Sequence, residues 1–466
     1  MTTKLTKLLA LALAFVMVLG LFAACAKTET PAQTPAETPE TPAETPAETP
    51  EAPAETPQTP AEEEKEPVTI RFWQAGGDTV GASTIMRLLL DQFENEYPWI
   101  TVDYQAIPWS NDPETMFSTG IASGDIADVL VVGDSRAFIF ASEGNIMPLD
   151  DMLTEETKDD LIDVLKVDSV YNSNLNPDMT GKTIYVPLYG GTRTILYNKE
   201  IFDYFGVDYP TESMTHAELL EMAKQLTGDM NGTHVYGYGT RATTSEQWIN
   251  FVWDYGGEII DASTMSAATD SEAWTKGISD YMAFYEAGVV PEGASAMDAS
   301  TLLNMFMSGE VAMFWAAVDY AQTIRAEEGW EEKLGVAALP HEDYSTCYTG
   351  ADVLVIPAAT QHTEEASLLL NYLLSTDVQV TYCKNVGFFP AVKSASVADD
   401  YFTGDPIQQA YAAAMEGCHF YGNYGVSTGS ILRANIQMLL NGDYNLEEFQ
   451  AHLTEEINTA IQENFG

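Results

Sequence analysis

Basic residues are scarce in this chain. Against 70 aspartates and glutamates, its 466 residues include only 20 lysines and arginines, a net charge of −50. Gripping a phosphate backbone depends on lysine and arginine displacing counterions, so nucleic acid and anionic membrane surfaces are excluded as partners. Cysteine is scarce too: Cys25, Cys347, Cys383 and Cys418 follow no patterned spacing and name no disulfide. Neither G-x-G-x-x-G nor a P-loop occurs, and Gly76-Gly77 is no dinucleotide fingerprint. His341-Glu342 lacks the second histidine of H-E-x-x-H, and there is no G-x-S-x-G elbow. Paired carboxylates carry no information about glycosidase chemistry where acids are this abundant. The apolar run Leu8–Phe22 is about 15 residues, short of the roughly 20 that a spanning helix needs.

That run is preceded by Lys4 and Lys7 and ends in Ala23-Ala24-Cys25. A basic start, an apolar middle and small residues before a cut mark a secretory signal. Phe22-Ala23-Ala24-Cys25 resembles a bacterial lipoprotein signal, with Phe22 where leucine is commonest. Residues 1–24 are therefore expected to be a lipoprotein signal peptide and Cys25 the lipidated N-terminus. A pair of acyl chains meets the two-anchor requirement for stable attachment. From Ala26 to Glu66 the chain is nearly all Thr, Pro, Ala and Glu, without an aromatic or β-branched aliphatic residue. Such a segment cannot bury enough apolar surface to offset its ordering entropy. Residues 25–66 read as a lipidated, disordered stalk.

The body begins at Pro67. Val68–Trp73, Ile100–Tyr104 and Val129–Val132 read as strands, separated by the helical pattern Ser83–Glu96 and a second helix. This alternation is an α/β signature with a largely parallel sheet. Ligands of such sheets bind at the carboxyl ends of strands, which points to Trp73–Gly77 and Gly133–Arg136. Thr215 with Glu218 forms a capping box that opens a helix to Leu226. Asp229-Met230-Asn231-Gly232 starts like a calcium loop, but position 12 is Thr240, so a plain turn is expected.

Gly181–Phe202 is the organising stretch. Thr183–Leu188 and Thr192–Tyr197 are β-rich, and Tyr189-Gly190-Gly191 lies between them. Taken alone this reads as a hairpin with a Gly-Gly turn, or as an apolar strand passing between two bodies.

The ordered set VTIRFWQAGG, YPWITVDY, GDIADVLVVGDSRAF with EGNIMPLDD, GKTIYVPLYGGTRTILYNKEIF, FMSGEVAMFWA, GVAALP, GADVLVIPAATQHTEEASLLLNYLLSTDVQ and GFFPAVKS covers the body. In that order it resembles the family 1 extracellular solute-binding proteins of ABC importers, the maltose- and oligosaccharide-binding type. The resemblance implies an α/β two-lobe clamp of the periplasmic-binding-protein kind, with hinge crossovers between mainly parallel-sheet lobes. Lobe one would be 67–189 plus 353–398, and lobe two 194–349 plus 405–466. The crossovers would fall at 190–193, 350–352 and 399–404, with Gly190, Gly191 and Gly350 as hinge residues. The implied role is capture of a carbohydrate, an oligosaccharide, for delivery to ABC permease subunits. The protein would be a monomer on the outer face of the cytoplasmic membrane of a Gram-positive bacterium, without cofactor or metal.

Sugar rings need aromatic faces against their C–H surfaces and carboxylates, amides or guanidinium groups for their hydroxyls. The matching positions are Trp73, Gln74, Asp134, Ser135, Arg136, Phe388 and Phe389 in lobe one. Tyr189 and Arg193 come from the hinge, and Gln247, Trp248, Trp253, Asp319 and Tyr320 from lobe two. Tyr348, Asp352 and Tyr424 are expected at the cleft edge. Maltose-type members often carry an acidic residue in the hinge strand, where this chain has Gly190-Gly191-Thr192. Ala316-Ala317 likewise replace the usual glycine after the Ala-Met strand. An acidic sugar held by Arg193, or a non-sugar ligand, is therefore an alternative, as are a secreted glycoside-active enzyme and a cell-wall adhesin.

Overall fold

In the computed structural model the described residues are 65–466, apart from 78–80, 167, 174, 212, 262, 422–427 and 466. The expected signal peptide, Cys25 and most of the stalk lie outside them, as does Tyr424. The chain divides into units Met1–Glu63 and Glu64–Gly466, and the fold described is that of the second. No helix among the described residues is long and apolar enough to cross a membrane.

The body opens with β1 (Val68–Ala75), β2 (Ile100–Ile107) and β3 (Val129–Gly133), joined by helices Ala82–Glu96 and Pro113–Ser123. β1 pairs in parallel with β2 and with β3, as strands linked by helical crossovers must. β4 (Val186–Gly191) and β5 (Arg193–Asn198) follow. β6 (Gly228–Met230) and β7 (Thr233–Val235) form a hairpin whose turn, Asn231-Gly232, has φ of 53° and 92°. That is the plain turn read from Asp229–Gly232, built on residues that tolerate positive φ. A second small hairpin joins β8 (Ile260–Asp261) to β9 (Ser266–Ala267). The remaining strands are β10 (Met313–Ala317), β11 (Leu334–Ala337), β12 (Cys347–Tyr348), β13 (Gly350–Val355), β14 (Phe389–Pro390) and β15 (Cys418–His419).

These strands make two main sheets. One has the order β14-β4-β13-β3-β1-β2, and the other β10-β5-β11. β3, β4 and β10 are buried on both faces, which explains their near-continuous apolar runs, whereas β1 and β2 alternate towards the edge of their sheet. Along β3, Val129 and Val131 join a core with Ile70 and Leu369, while Leu130 and Val132 join one with Phe138 and Phe140. In the second sheet Ile195 and Trp315 face a core built on Trp248 and Trp274. Leu196 and Phe314 face another, with Phe306.

The hairpin reading of Gly181–Phe202 fails. β4 pairs with β13 and β14, whereas β5 pairs with β10 and β11. One extended segment therefore passes from the first sheet into the second. Its break is Thr192, whose hydroxyl donates to the Tyr411 carbonyl at 2.9 Å, while the glycines belong to β4. Gly190, Gly191 and Gly350 do not adopt positive φ. Space explains Gly190 better, since a Cβ there would stand 2.6 Å from Leu165 Cδ2.

The two-lobe α/β architecture holds, but the sheets are less parallel than expected. β13 runs antiparallel to β3 and β4, and β5 runs antiparallel to both its neighbours. Neighbours become parallel when a helix carries the chain back to the same end of the sheet. β5 and β13 follow strands of a different sheet directly, through Thr192 and Thr349, without such a return.

Candidate functional site

The passage from β4 to β5 brings both sheets' strand ends to one place. On the first-sheet side Tyr189, 3% exposed, lies flat on Phe388 with centroids 4.3 Å apart and planes at 12°. Its hydroxyl donates to Asp352 on β13. Behind it Tyr382 accepts a 2.8 Å bond from Gln74 Nε2, and Gln74 Oε1 accepts one from Tyr104. Gln74 is thus a fully buried connector with both amide ends spent. Asp134 opens helix Asp134–Ser142 at the end of β3, and its carboxylate accepts the Ser135 N–H at 2.6 Å.

On the second-sheet side Arg193, the first residue of β5, pairs with Glu246 at 2.6 Å. It donates to the Gly191 carbonyl at 3.3 Å and sits 5.0 Å over the Tyr348 ring. Tyr348 lies parallel to Trp253 at 6.3 Å and beside Tyr421 at 5.0 Å. Asp319 stands in the first turn of helix Val318–Arg325, and its Oδ1 is buried without a hydrogen-bond partner. Gln247 donates to the Trp315 carbonyl at 3.1 Å, and its Oε1 has no partner. A small pocket of about 30 Å³ opens beside them, with Arg193, Arg241, Glu246, Gln247 and Tyr320 among its lining residues.

Carboxylates outnumber cations here. Burial pushes Asp134 up to about 7, with Asp168 and Asp352 adding repulsion. Burial likewise pushes Asp352 up to about 7, although the Tyr189 bond and Arg193 pull the other way. Asp319 is raised by burial and held back by Arg193. Burial opposes the Arg193 charge, but Glu246 more than offsets that and keeps the guanidinium firmly protonated. Enclosed carboxylates with free acceptor positions, beside flat rings, can bind a ligand rich in hydroxyl donors.

Several expected residues point elsewhere. Trp73 is packed between Phe117 and the Arg71 guanidinium, on the face of β1 opposite Gln74. Arg136 turns to Glu114 at 2.7 Å. Trp248 is wholly inside the core against Trp274, and Phe389, 7% exposed, packs on Phe402. On β1, alternation puts Trp73 and Gln74 on opposite faces of the sheet. Trp253 is 2% exposed and supports Tyr348. Glu246, Arg241, Tyr382, Asp168, Tyr421 and His419, which lies 4.5 Å from the Trp253 ring, were missed, since no local pattern marks them. Trp109, 46% exposed and lying against Gly76, was missed as well, although it stands just after β2.

The chain matches the bacterial extracellular solute-binding protein family over residues 76–380. It belongs to that family. This solute-binding protein is 25% identical over 333 residues to a Brucella abortus (strain 2308) protein named only for binding, covering 70% of this chain and 77% of that one. A Sinorhizobium fredii protein named for an amino-acid ABC transporter is 25% identical over 51% of this chain and 54% of its own. Among solved structures, the fold is similar to the GacH receptor of Streptomyces glaucescens, determined unliganded and with acarbose. The TM-score is 0.75 at 20% identity, over 85% of this chain and 99% of that one. A Thermotoga lettingae ABC transporter solute-binding protein bound to α-D-tagatose gives 0.75 at 22% identity, over 84% and 99%.

Proposed function

We propose that this solute-binding protein is the substrate-binding lipoprotein of an ABC importer that captures a neutral carbohydrate, an oligosaccharide, between its lobes. One observation carries the reading: Tyr189 and Asp352 on the first sheet, with Phe388 stacked on Tyr189, lie close to Arg193 at the start of β5 and to its neighbours Glu246, Tyr348 and Asp319. An acidic sugar is disfavoured, because Arg193 is already paired with Glu246, and the carboxylates of Glu246, Asp319 and Asp352 outnumber Arg193 and Arg241. The lobes are taken as 67–189 with 353–398, and 194–349 with 405–466, turning about 190–193, 350–352 and 399–404. Ligand favours the closed state because only that state makes contacts from both lobes. The closed clamp, a monomer tethered through Cys25 outside the cytoplasmic membrane, then engages the permease. Catalysis forms no part of this role.

Titration with a panel of neutral oligosaccharides, followed by calorimetry and small-angle scattering, tests the proposal. Expected are one-to-one binding, a smaller scattering radius and no product. Turnover of the sugar, or binding without compaction, would overturn it. The excess of carboxylates favours an amine-bearing solute as the second reading. Tighter binding of amino sugars or amino acids than of neutral sugars would establish that one instead.

A further inference from the structure

His216, 1% exposed, opens helix His216–Leu226 and is held between carboxylates on both ring nitrogens. Asp254, itself fully buried, places Oδ2 3.0 Å from Nε2 and is fixed in turn by the Thr346 N–H at 3.0 Å. On the other side, Asp280 Oδ2 lies 3.0 Å from Nδ1 and Glu342 Oε1 lies 3.7 Å from it. Those three donor atoms are all within 4.8 Å of one another. Asp280 comes from helix Glu272–Glu286, and Glu342 from the segment that runs into β12. Tyr255 donates to Asp280 at 2.7 Å, and Lys276 lies 5.6 Å over the Tyr255 ring.

A neutral imidazole has one N–H, so it cannot donate to carboxylates on both sides. The Nδ1 side takes either a second ring proton, making the imidazolium, or a metal ion, and it offers a metal three donor atoms. A tetrahedral zinc ion with bonds of about 2.0–2.2 Å sets its donors about 3.3 Å apart. The two separations from Nδ1, 3.0 and 3.7 Å, bracket that value. Asp254 on the far nitrogen fixes the ring, as outer carboxylates do for metal-bound histidines. The half-buried side chains of Asp280 and Glu342, 34% and 20% exposed, leave an entry from solvent.

We propose that His216, Asp280 and Glu342 form a zinc-type transition-metal site, separate from the interlobe cleft. The ion ties the two helices to the segment that leads through β12 into β13. One imidazole with two carboxylates suits zinc or cobalt better than magnesium or calcium, which take all-oxygen sets.

The test uses the full chain, stripped with a chelator and then freed of it. Zinc chloride is expected to bind at one equivalent by calorimetry and to raise the melting midpoint. Cobalt chloride should give the visible bands of a tetrahedral site. Asp280→Asn and Glu342→Gln, each on a partly exposed residue, should weaken zinc binding at least tenfold. Magnesium chloride at the same concentration should leave the midpoint unchanged. If zinc binds both variants as tightly as the parent, or does not raise the midpoint, a protonated His216 is all the site holds and the proposal falls. Equal stabilisation by magnesium would mean general screening of an acidic chain, and would overturn it too.

Discussion

Arg193 and Glu246 meet at 2.6 Å beside the passage between the sheets, with side chains only 13% and 28% exposed. Replacing Glu246 by glutamine leaves the guanidinium enclosed without its counter-charge. The expected loss is about 2 kcal/mol of stability, in the range for a hydrogen bond to a charged group. Chemical denaturation of Glu246→Gln and of Arg193→Met/Glu246→Gln checks this. The double variant should recover part of the loss, because no unpaired charge remains.

Asp352 makes the ligand-free protein pH-sensitive. Its folded value, about 7, lies above the ordinary 3.8, so its stabilising share is whole below pH 4 and is lost as pH rises to 7. Each pH unit within that window costs up to about 1.4 kcal/mol per group. Asp134 behaves the same way. Melting midpoints should therefore fall between pH 4 and 7, and Asp352→Asn should flatten the slope. An unchanged slope in the variant would contradict the assignment. Sugar hydroxyls donate to the ionised form, so affinity should rise over the same interval.

Tyr348 and Trp248 should fail differently. Tyr348 presents a face beside Arg193, whereas Trp248 is enclosed by Trp274 and Tyr281. Tyr348→Ala is expected to weaken sugar binding at least tenfold with a modest effect on melting. Trp248→Ala should cost about 3–5 kcal/mol of stability, as large-to-small changes in aromatic cores do. Parallel calorimetry and denaturation distinguish the two.

Gly190 is a matter of space. Gly190→Val would drive a side chain into Leu165, whose Cδ atoms stand 2.6 and 2.7 Å from the Cβ position. Overpacking of this kind costs about 1–3 kcal/mol. Gly191→Ala meets nothing nearer than Phe388 at 3.6 Å and should be nearly neutral. Leu165→Ala combined with Gly190→Val should recover part of the loss in a double-mutant cycle.

The sequence by itself determined whatever depends on near neighbours. Alternation marked β1, a short apolar run marked β3, and the Thr215–Glu218 capping box is present with both of its bonds. The ordered motifs also carried the family and its two-lobe form. Tertiary structure decided the rest. Whether Trp73 or Gln74 faced inward, and whether Gly190-Gly191 turned a hairpin, depended on which strands came alongside. Tyr189 and Asp352 are 163 residues apart, Arg193 and Glu246 are 53 apart, and His216 and Glu342 are 126 apart. Local periodicity reports only contacts a few residues away, so pairs at such separations become neighbours only once the sheets have packed.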